Sequence, residues 1–252
     1  MKKRIVAIIP ARLKSKRYPR KPLIKIKGIS MVEHVRRRAL ASKAFDDVYV
    51  ATCDLEIKKE IKKNGGKVIM TSNKHNLATT RVAEAAQKVK CSHIVNIQGD
   101  EPLILPNDLK IVVNKIKKNP KIKYWNAVGN VSKEELFSHD VVKCIIDKSD
   151  KIIICSRFFS PIKRIKDIKI KKLLGVLAYT KKALLNYTKL KKTNTELFQS
   201  IDQSRIIENN FILKSINLKN SFIGINTKAE EKIVMSIISK SRIQKKIFRD
   251  LR

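Results

Sequence analysis

The first half of the chain alternates short apolar segments with amphipathic segments, and this alternation limits its fold more than any other feature. The apolar segments RIVAII, DDVYVATCD, KVIMTS and HIVNIQGDEP have the length of strands, and helical periodicity covers 30–44, 55–63, 79–89 and DLKIVVNKIKK. Strands separated by helices of this length predict βαβ units and an α/β fold with a mainly parallel sheet. We expect Ser30 and Asn107 to cap the first and last of these helices.

Beyond residue 120 the apolar segments follow one another more closely. YWNAVGNV, VVKCIID and KIIICSR come in quick succession, and the turn Lys148-Ser149-Asp150 joins the last two. Two more strand-like segments, LLGVLAYT and FILKSINL, precede a helix that starts at about Lys228. We expect one domain over residues 1–252, with a β-rich insertion at about 120–180.

The chain is strongly basic, with 57 Lys and Arg against 22 Asp and Glu and a formal net charge of +35. A charge of this size suits nucleic-acid binding. However, the cations are spread over nearly every predicted element, and neither an RNP-type aromatic motif nor a helix-turn-helix pattern is present. We therefore expect nucleic acid to be an unlikely partner.

The apolar runs and the cysteines lead to further predictions, which concern membrane insertion, the cellular location of the protein and the state of its thiols. No apolar run approaches the ~20 residues of a membrane helix, so we expect no membrane insertion. The apolar run IVAIIPA leads directly into Arg12, which favours the first strand of a cytoplasmic protein over a signal peptide. The cysteines show no metal-site spacing, alone or with histidines, and are expected to be reduced, mostly buried thiols: Cys53, Cys91, Cys144 and Cys155.

A basic stretch, PARLKSKRYPRKPL, follows the first apolar segment. In open parallel sheets, ligands bind beyond the carboxyl ends of the strands, where this stretch would meet TSNKHNLATTR and IQGDEP. Its guanidinium, ammonium and hydroxyl groups suit a triphosphate, and they belong to Arg12, Ser15, Lys16, Arg17 and Lys21. The chain has neither the P-loop pattern GxxxxGK[ST] nor the dinucleotide pattern GxGxxG.

Asp100 ends the fourth apolar segment and would face the same place. A carboxylate opposite phosphates is a typical ligand of Mg²⁺. Taken alone, Asp100 is better explained as a carboxylate of a loop or a helix entry. Together with the basic stretch it indicates nucleotidyl transfer.

These motifs, in this order, resemble the 3-deoxy-manno-octulosonate (Kdo) cytidylyltransferases, the CMP-Kdo synthetases. The family pattern PAR-x-x-S-x-R-x-P-x-KPL is present from Pro10 to Leu23, and VNIQGDEPLI and IDQSRIIENN extend the resemblance over nearly the whole chain. The resemblance implies a nucleotide-diphosphosugar-transferase-like (Rossmann-like) fold, with a mixed, mainly parallel sheet flanked by helices. It also implies a homodimer, in which the β-rich region takes part, and transfer of CMP from CTP to the acidic sugar Kdo.

The resemblance assigns roles to individual residues. It implies that the CTP phosphates contact Ala11, Arg12, Ser15, Arg17 and Lys21. Thr79 and Arg81 would lie beside the nucleotide, and Gln98 and Asp100 would contact the sugar and Mg²⁺. Arg157 would face the acidic sugar. Lys21, Asp100 and Arg157 are thus the expected catalytic residues, and Asp100 and Asn226 the expected metal positions.

The chain departs from the family pattern at several positions. The family's Gly before KPL is Arg20, its SGT[ED]R is LATTR at 77–81, and its H-x-G begins with Leu173. Gln199 and Asp202 replace expected glutamates. Asn226 replaces an aspartate that is the second metal ligand, and an amide offers an oxygen but no charge; Asn226 could equally be an ordinary helix N-cap.

These departures leave alternatives open. The acceptor could be another sugar acid, such as a nonulosonate. The chain could also be a catalytically weak relative that only binds nucleotide, or an electrostatic nucleic-acid binder.

Overall fold

The computed structural model describes residues 3–15, 17–159, 169–220 and 223–251, and Lys16 lies outside them. The chain forms two compact units, one within Met1–Asn114 and Phe222–Arg252 and the other within Lys115–Ser221. The β-rich region expected at about 120–180 falls within the second unit. The organisation as a single domain stays a prediction.

The first unit contains the predicted alternation of strands and helices. Its strands are β1 Ile5–Pro10, β2 Lys25–Ile26, β3 Ile29–Ser30, β4 Asp47–Thr52, β5 Lys67–Met70 and β6 His93–Ile97. Its helices are α1 Met31–Ala41, α2 Leu55–Lys63, α3 Ala78–Gln87 and α4 Pro106–Lys118, within which the second unit begins. The sheet order β6-β1-β4-β5 is parallel throughout, as the alternation predicts.

Burial explains why β1 is central to this sheet. All six residues of β1 are buried, as expected for a strand covered on both faces in a parallel sheet. Ile8 lies opposite Tyr49 of β4 and Asn96 of β6. Because these strands run in the same direction, the segments that leave β1 and β6 emerge at one edge of the sheet.

The second unit is mixed in strand direction. Its strands are β7 Tyr124–Gly129, β8 Lys143–Ile146, β9 Ile152–Ser156, β10 Lys169–Thr180 and β11 Leu213–Asn217, and its own helices are α5 Lys133–Phe137, α6 Lys181–Tyr187, α7 Asn194–Gln199 and α8 Ser204–Glu208. β11 pairs with β7 in parallel, whereas β7–β10, β10–β8 and β8–β9 are antiparallel. The predicted turn joins β8 to β9, with Asp150 in the left-handed region at φ 64°.

Two predicted helix caps are wrong. Helix α4 starts at Pro106, so Asn107 lies inside its first turn; Pro is favoured at a first helical position because it needs no amide donor there. The C-terminal helix α9, Lys228–Lys240, is capped by Thr227 and not by Asn226, since Thr227 and Glu230 form a reciprocal capping box. Ser30 does precede α1, but its side chain makes no capping hydrogen bond.

The C-terminal segment belongs to the first unit. A second helix, α10 Arg242–Asp250, follows α9 after a break at Ser241, whose side chain accepts a hydrogen bond from Gln244 N. Gln244 Nε2 donates to the Leu103 carbonyl at 2.8 Å, and the ring of Phe248 stacks on His34 at 5.6 Å. Among the described residues, none of the helices combines the length and the apolar character needed to cross a membrane.

Candidate active site

A cavity of about 360 Å³ opens in the first unit, where the chain leaves β1 and β6. Its lining comes from the basic stretch after β1, the start of α3, the loop after β6 and Asn226. Most of the predicted site residues lie here: Ala11, Arg12, Ser15, Arg17, Lys21, Arg81, Gln98, Asp100 and Asn226. The expectation that distant segments meet at this sheet edge is therefore correct for these residues.

The basic stretch is held in place by acids outside the cavity. Asp54, which directly precedes α2, accepts a hydrogen bond from Leu13 N at 2.8 Å. The hydroxyl of Tyr18 donates to Glu231 of α9 at 2.5 Å, and this bond raises the pKa of Tyr18 to about 12. These two contacts anchor the basic stretch against the mutual repulsion of its cations.

Arg20 occupies the position where the resembled family has glycine, and its backbone shows why. Its φ is +57°, in the left-handed region that glycine adopts most easily. Arg20 N donates to the Leu13 carbonyl at 3.1 Å, which closes the stretch into a loop. The guanidinium pairs with Glu56. Arg20 thus adopts a left-handed conformation that costs a residue with a side chain more than it costs glycine.

Two glycines allow three segments to meet at Asp100. A Cβ at Gly99 would lie 2.8 Å from the Pro10 carbonyl oxygen, and one at Gly224 would lie 2.9 Å from that of Asp100. Both distances are too short for a real side chain. The same approach lets Ile225 N donate to the Asp100 carbonyl at 2.9 Å. Asn226 is thereby brought beside Asp100.

The ammonium of Lys21 lies between these two residues. Its Nζ donates to Asp100 Oδ2 at 2.8 Å and to Asn226 Oδ1 at 3.1 Å. One carboxylate and one amide oxygen thus converge on a single cation. Mg²⁺ is commonly held by one or two such oxygens together with substrate phosphates and water. The residues present fit that ion, although with one charge fewer than two carboxylates would supply.

The start of α3 forms another wall of the cavity. The carbonyl of His75 accepts a hydrogen bond from Arg12 Nη1 at 3.2 Å, and its ring contacts Thr80 and Glu84 at 3.1 and 2.5 Å. Arg81 is buried and donates to Thr71 Oγ1 at 2.6 Å, while its Nη2 has no hydrogen-bond partner among the described residues. Arg81 therefore has one donor left for a group in the cavity.

Thr79 and Arg157 are predicted site residues that do not line the cavity; of these, Thr79 belongs to the first unit. It is buried in the first turn of α3 and does not contribute to the lining. The sequence prediction also missed several residues that line the cavity, and four of these are Lys14, His75, Asn76 and Leu77. All four lie inside the stretches singled out in the sequence. The spacing of the motifs therefore predicts which segments form the cavity, but not which of their side chains line it.

The described residues that line the cavity carry more positive than negative charge. Of the described residues that line it, Asp100 is the one carboxylate, whereas five are cations: Arg12, Lys14, Arg17, Lys21 and Arg81. An excess of fixed positive charge in a concave site attracts anions and strengthens charge-assisted hydrogen bonds to them. The arrangement can bind a ligand with several negative charges, such as a triphosphate.

Arg157 belongs to the second unit, where neutral oxygens hold its guanidinium. Its Nε donates to the Gln199 carbonyl at 2.9 Å, and Nη1 donates to the carbonyls of His139 and Asp140 at 3.0 and 3.1 Å. Gln199 Oε1 also accepts from Arg157 N at 2.8 Å. The replacement of the expected glutamate by Gln199 thus places an amide, which carries no charge, beside Arg157.

A buried lysine strengthens the positive character around Arg157. Lys143 is fully buried, and its Nζ donates to the carbonyls of Ser138 and Arg157 at 2.8 and 2.5 Å. Burial, together with the charge of Arg157, lowers the pKa of Lys143. Leu173, the other departure in this unit, lies in β10 opposite Val128 of β7 and offers no polar group.

The comparisons with known proteins agree with one another. Residues 6–220 match the family model described as cytidylyltransferase. The chain is 34% identical over 244 residues to a 3-deoxy-manno-octulosonate cytidylyltransferase of Fusobacterium nucleatum, with 96% of this chain and 99% of the relative covered. It is 35% identical over 248 residues to a protein of the same name from Leptospira interrogans, with 96% and 98% covered.

A solved structure shows the same similarity. The structure of CMP:2-keto-3-deoxy-manno-octonic acid synthetase complexed with CTP superposes with a TM-score of 0.88 and is 30% identical. The match covers 94% of this chain and 99% of that one. The fold expected from the sequence motifs is therefore confirmed.

Proposed function

The chain belongs to the 3-deoxy-manno-octulosonate cytidylyltransferase family, and from this premise we propose that it transfers CMP from CTP to a 3-deoxy-2-keto sugar acid. The acceptor is Kdo or a close relative, pyrophosphate is released, and the product serves lipopolysaccharide or surface polysaccharide biosynthesis. The observation that carries the proposal is the cavity in which cations from separate segments surround Asp100.

The chain's residues act by position and charge. Arg12, Arg17 and Lys21 neutralise the triphosphate, and the backbone at Ala11 and the hydroxyl of Ser15 are close enough to the cavity to add hydrogen bonds. The 2-hydroxyl of the sugar attacks the α-phosphorus and loses its proton to solvent, while the bond from that phosphorus to the bridging oxygen breaks and pyrophosphate leaves with the electron pair. Because the hydroxyl is itself the nucleophile, no covalent enzyme intermediate is required.

We propose Mg²⁺ as the cofactor, held by Asp100 and Asn226. When bound, it supplies positive charge against the phosphate oxygens. Lys21, which contacts both residues, can then turn to the phosphates. Gln98 lines the cavity beside Asp100 and is available to a sugar hydroxyl. Arg157, with its charge held by neutral carbonyls, suits the sugar carboxylate.

We further propose that the protein is a cytoplasmic homodimer. The second unit exposes a group of aromatic rings in contact, with Phe158 and Phe198 exposed by 53% and 80% and their centroids 6.5 Å apart. Exposed apolar groups of this kind mark interaction sites. The four cysteines are free thiols, which suits a reducing compartment. Sedimentation velocity at micromolar protein would distinguish a dimer from a monomer.

The proposed function is tested by measuring pyrophosphate release with each of the four nucleoside triphosphates and a panel of sugar acids. We expect release with CTP and Kdo, or with CTP and one related acid. Release with a nonulosonate alone would identify the acceptor as another sugar acid. Nucleotide binding without release for every acid would mean a weak, nucleotide-binding relative, and salt-sensitive RNA binding without CTP binding would refute the enzyme altogether.

Arg17→Ala is expected to weaken CTP binding without unfolding the protein. Arg17 is exposed and lines the cavity, so its guanidinium lies within reach of phosphates bound there. A charge-assisted contact of this kind contributes about 1.5–3 kcal/mol. Equilibrium dialysis with labelled CTP gives the affinity, and a thermal melt checks the fold. CTP affinity equal to that of the wild type would mean that Arg17 does not contact the phosphates.

Asn226→Asp is expected to raise the rate and to lower the Mg²⁺ concentration needed for half-maximal rate, by roughly tenfold, because metal affinity in oxygen sites rises with the number of charged ligands. The position already faces Lys21 Nζ, so the new carboxylate would point to the cation position. A Mg²⁺ titration of pyrophosphate release compares the two proteins. If neither quantity improves, any defect lies instead with Leu173 or Gln199.

A further inference from the structure

The ammonium of Lys21 is placed where a metal ion would be expected. Asp100 Oδ2 and Asn226 Oδ1 are 2.8 and 3.1 Å from Nζ, and they come from segments that Ile225 N and the Asp100 carbonyl join directly. The side chain of Lys21 is only 14% exposed and that of Asp100 28%. The contact is therefore a defined ion pair in a partly closed site, and the two metal positions share one cation that belongs to the protein.

Because Asn226 stands where the family has aspartate, the charges of Asp100 and Lys21 balance and these three residues carry no net charge. Asp100 contributes one negative charge, Lys21 one positive charge and Asn226 none. Arg12, Lys14 and Arg17 line the same cavity. A divalent ion approaching the free protein would thus meet a neutral pair within a positive field, and a unit charge a few ångströms away repels it appreciably even at a surface.

We propose that Lys21 occupies the cation position in the nucleotide-free protein, and that a divalent metal enters only together with the triphosphate. This inference rests on the proposed function for the identity of the nucleotide. The phosphates supply the negative charge that the protein lacks, and they give the Lys21 ammonium another partner. Metal and nucleotide must then strengthen each other's binding, because each helps to separate Lys21 from Asp100.

The inference predicts an unusual effect of removing a cation. Lys21→Met keeps the length and apolar body of the side chain but deletes its charge, which leaves the Asp100 carboxylate open to a metal. Mn²⁺, which prefers the same oxygen ligands as Mg²⁺, serves as the probe. Its binding to nucleotide-free protein is followed by electron paramagnetic resonance of the free ion.

We expect Mn²⁺ to bind the nucleotide-free wild type weakly and Lys21→Met about tenfold more tightly, within the usual range of coupling between sites. Adding Asp100→Asn to Lys21→Met should abolish the gain. Lys14→Met is the matched control, since Lys14 lines the same cavity and its loss changes the net charge equally. It should give a much smaller gain, because none of the hydrogen bonds to Asp100 comes from Lys14 in the described part of the chain.

Several outcomes would overturn the inference. These are tight Mn²⁺ binding to the wild type, equal Mn²⁺ affinity of wild type and Lys21→Met, or an equal gain in Lys14→Met. If Lys21→Met fails to fold in a thermal melt, Lys21→Gln replaces it. CTP binding to the wild type is measured in parallel by dialysis. Its absence would refute the proposed function, whereas the Mn²⁺ result concerns the protein without nucleotide and is interpreted by itself.

Discussion

Asp100→Asn is expected to reduce the turnover of CTP by about a thousandfold, as the loss of several kcal/mol of transition-state stabilisation would require. Asp100 is the one carboxylate among the described residues that line the cavity. An amide at this position still accepts a hydrogen bond from Lys21, but with Asn226 beside it the cation position would have no charged ligand. The phosphates would then be the only anionic partners of the metal.

The stability of this variant should change little. The Lys21–Asp100 pair is partly exposed and borders a cavity, so the hydrophobic core is unaffected. Pyrophosphate release at saturating CTP and Mg²⁺ gives the rate, and a thermal melt gives the stability. Glu60→Gln, which loses a carboxylate paired with Lys25 outside the cavity, should remain active. Normal turnover in Asp100→Asn would mean that the metal binds elsewhere or is not used.

Glu196→Ala is expected to lower the free energy of unfolding by about 3–5 kcal/mol, since it leaves a buried charge without its partner. Glu196 of α7 and Arg205 of α8 form a bidentate ion pair, in which Arg205 Nε lies 2.6 Å from Oε2, and their side chains are only 5% and 4% exposed. The hydrogen bonds that Arg205 donates to this carboxylate raise the pKa of Arg205. The guanidinium also lies 4.5 Å from the ring centroid of Tyr187 and has little room to reach water.

Urea unfolding followed by circular dichroism measures this loss. Glu56→Ala is the control, because its pair with Arg20 is exposed and the unfolding curve should hardly move. The double variant Glu196→Leu with Arg205→Met should regain much of the stability, since two apolar groups leave no charge stranded. An unfolding curve of Glu196→Ala that matches the wild type would show that water reaches Arg205 after all.

The parallel half of the fold could be predicted because its signals are local. Helix α2 begins and ends at the predicted residues, since Asn64 and Gly65 terminate it and Ile57 and Ile61 form a buried stripe at helical spacing. Local signals were missed where two residues could serve the same role. Both Asn226 and Thr227 can cap a helix, but only Thr227 has a glutamate three residues later, and this capping-box spacing decides between them.

The site was predictable at the level of segments more than of side chains. Thr79 lies at the spacing of the buried stripe of α3, with Val82, Ala83 and Ala86, so helical periodicity alone would have directed it to the core. The contact between Lys21 and Asp100 joins residues 79 positions apart. It depends on the close approach at Gly99 and Gly224, which no local pattern reveals.

The first unit is discontinuous, and this has a consequence for the order in which the protein matures during translation. The second unit is one uninterrupted segment and can fold once residue 221 has left the ribosome, whereas the first must wait for residues 222–251. Domains usually complete themselves from the N-terminus onward. Here the carbonyl of Leu103 cannot accept its hydrogen bond until Gln244 has been synthesised, and that of Asp100 cannot do so until Ile225 has been synthesised. The nascent chain therefore carries its basic loop and Asp100 long before it can bring them to a common site, and the cavity around Asp100 is expected to be among the last parts of the molecule to form.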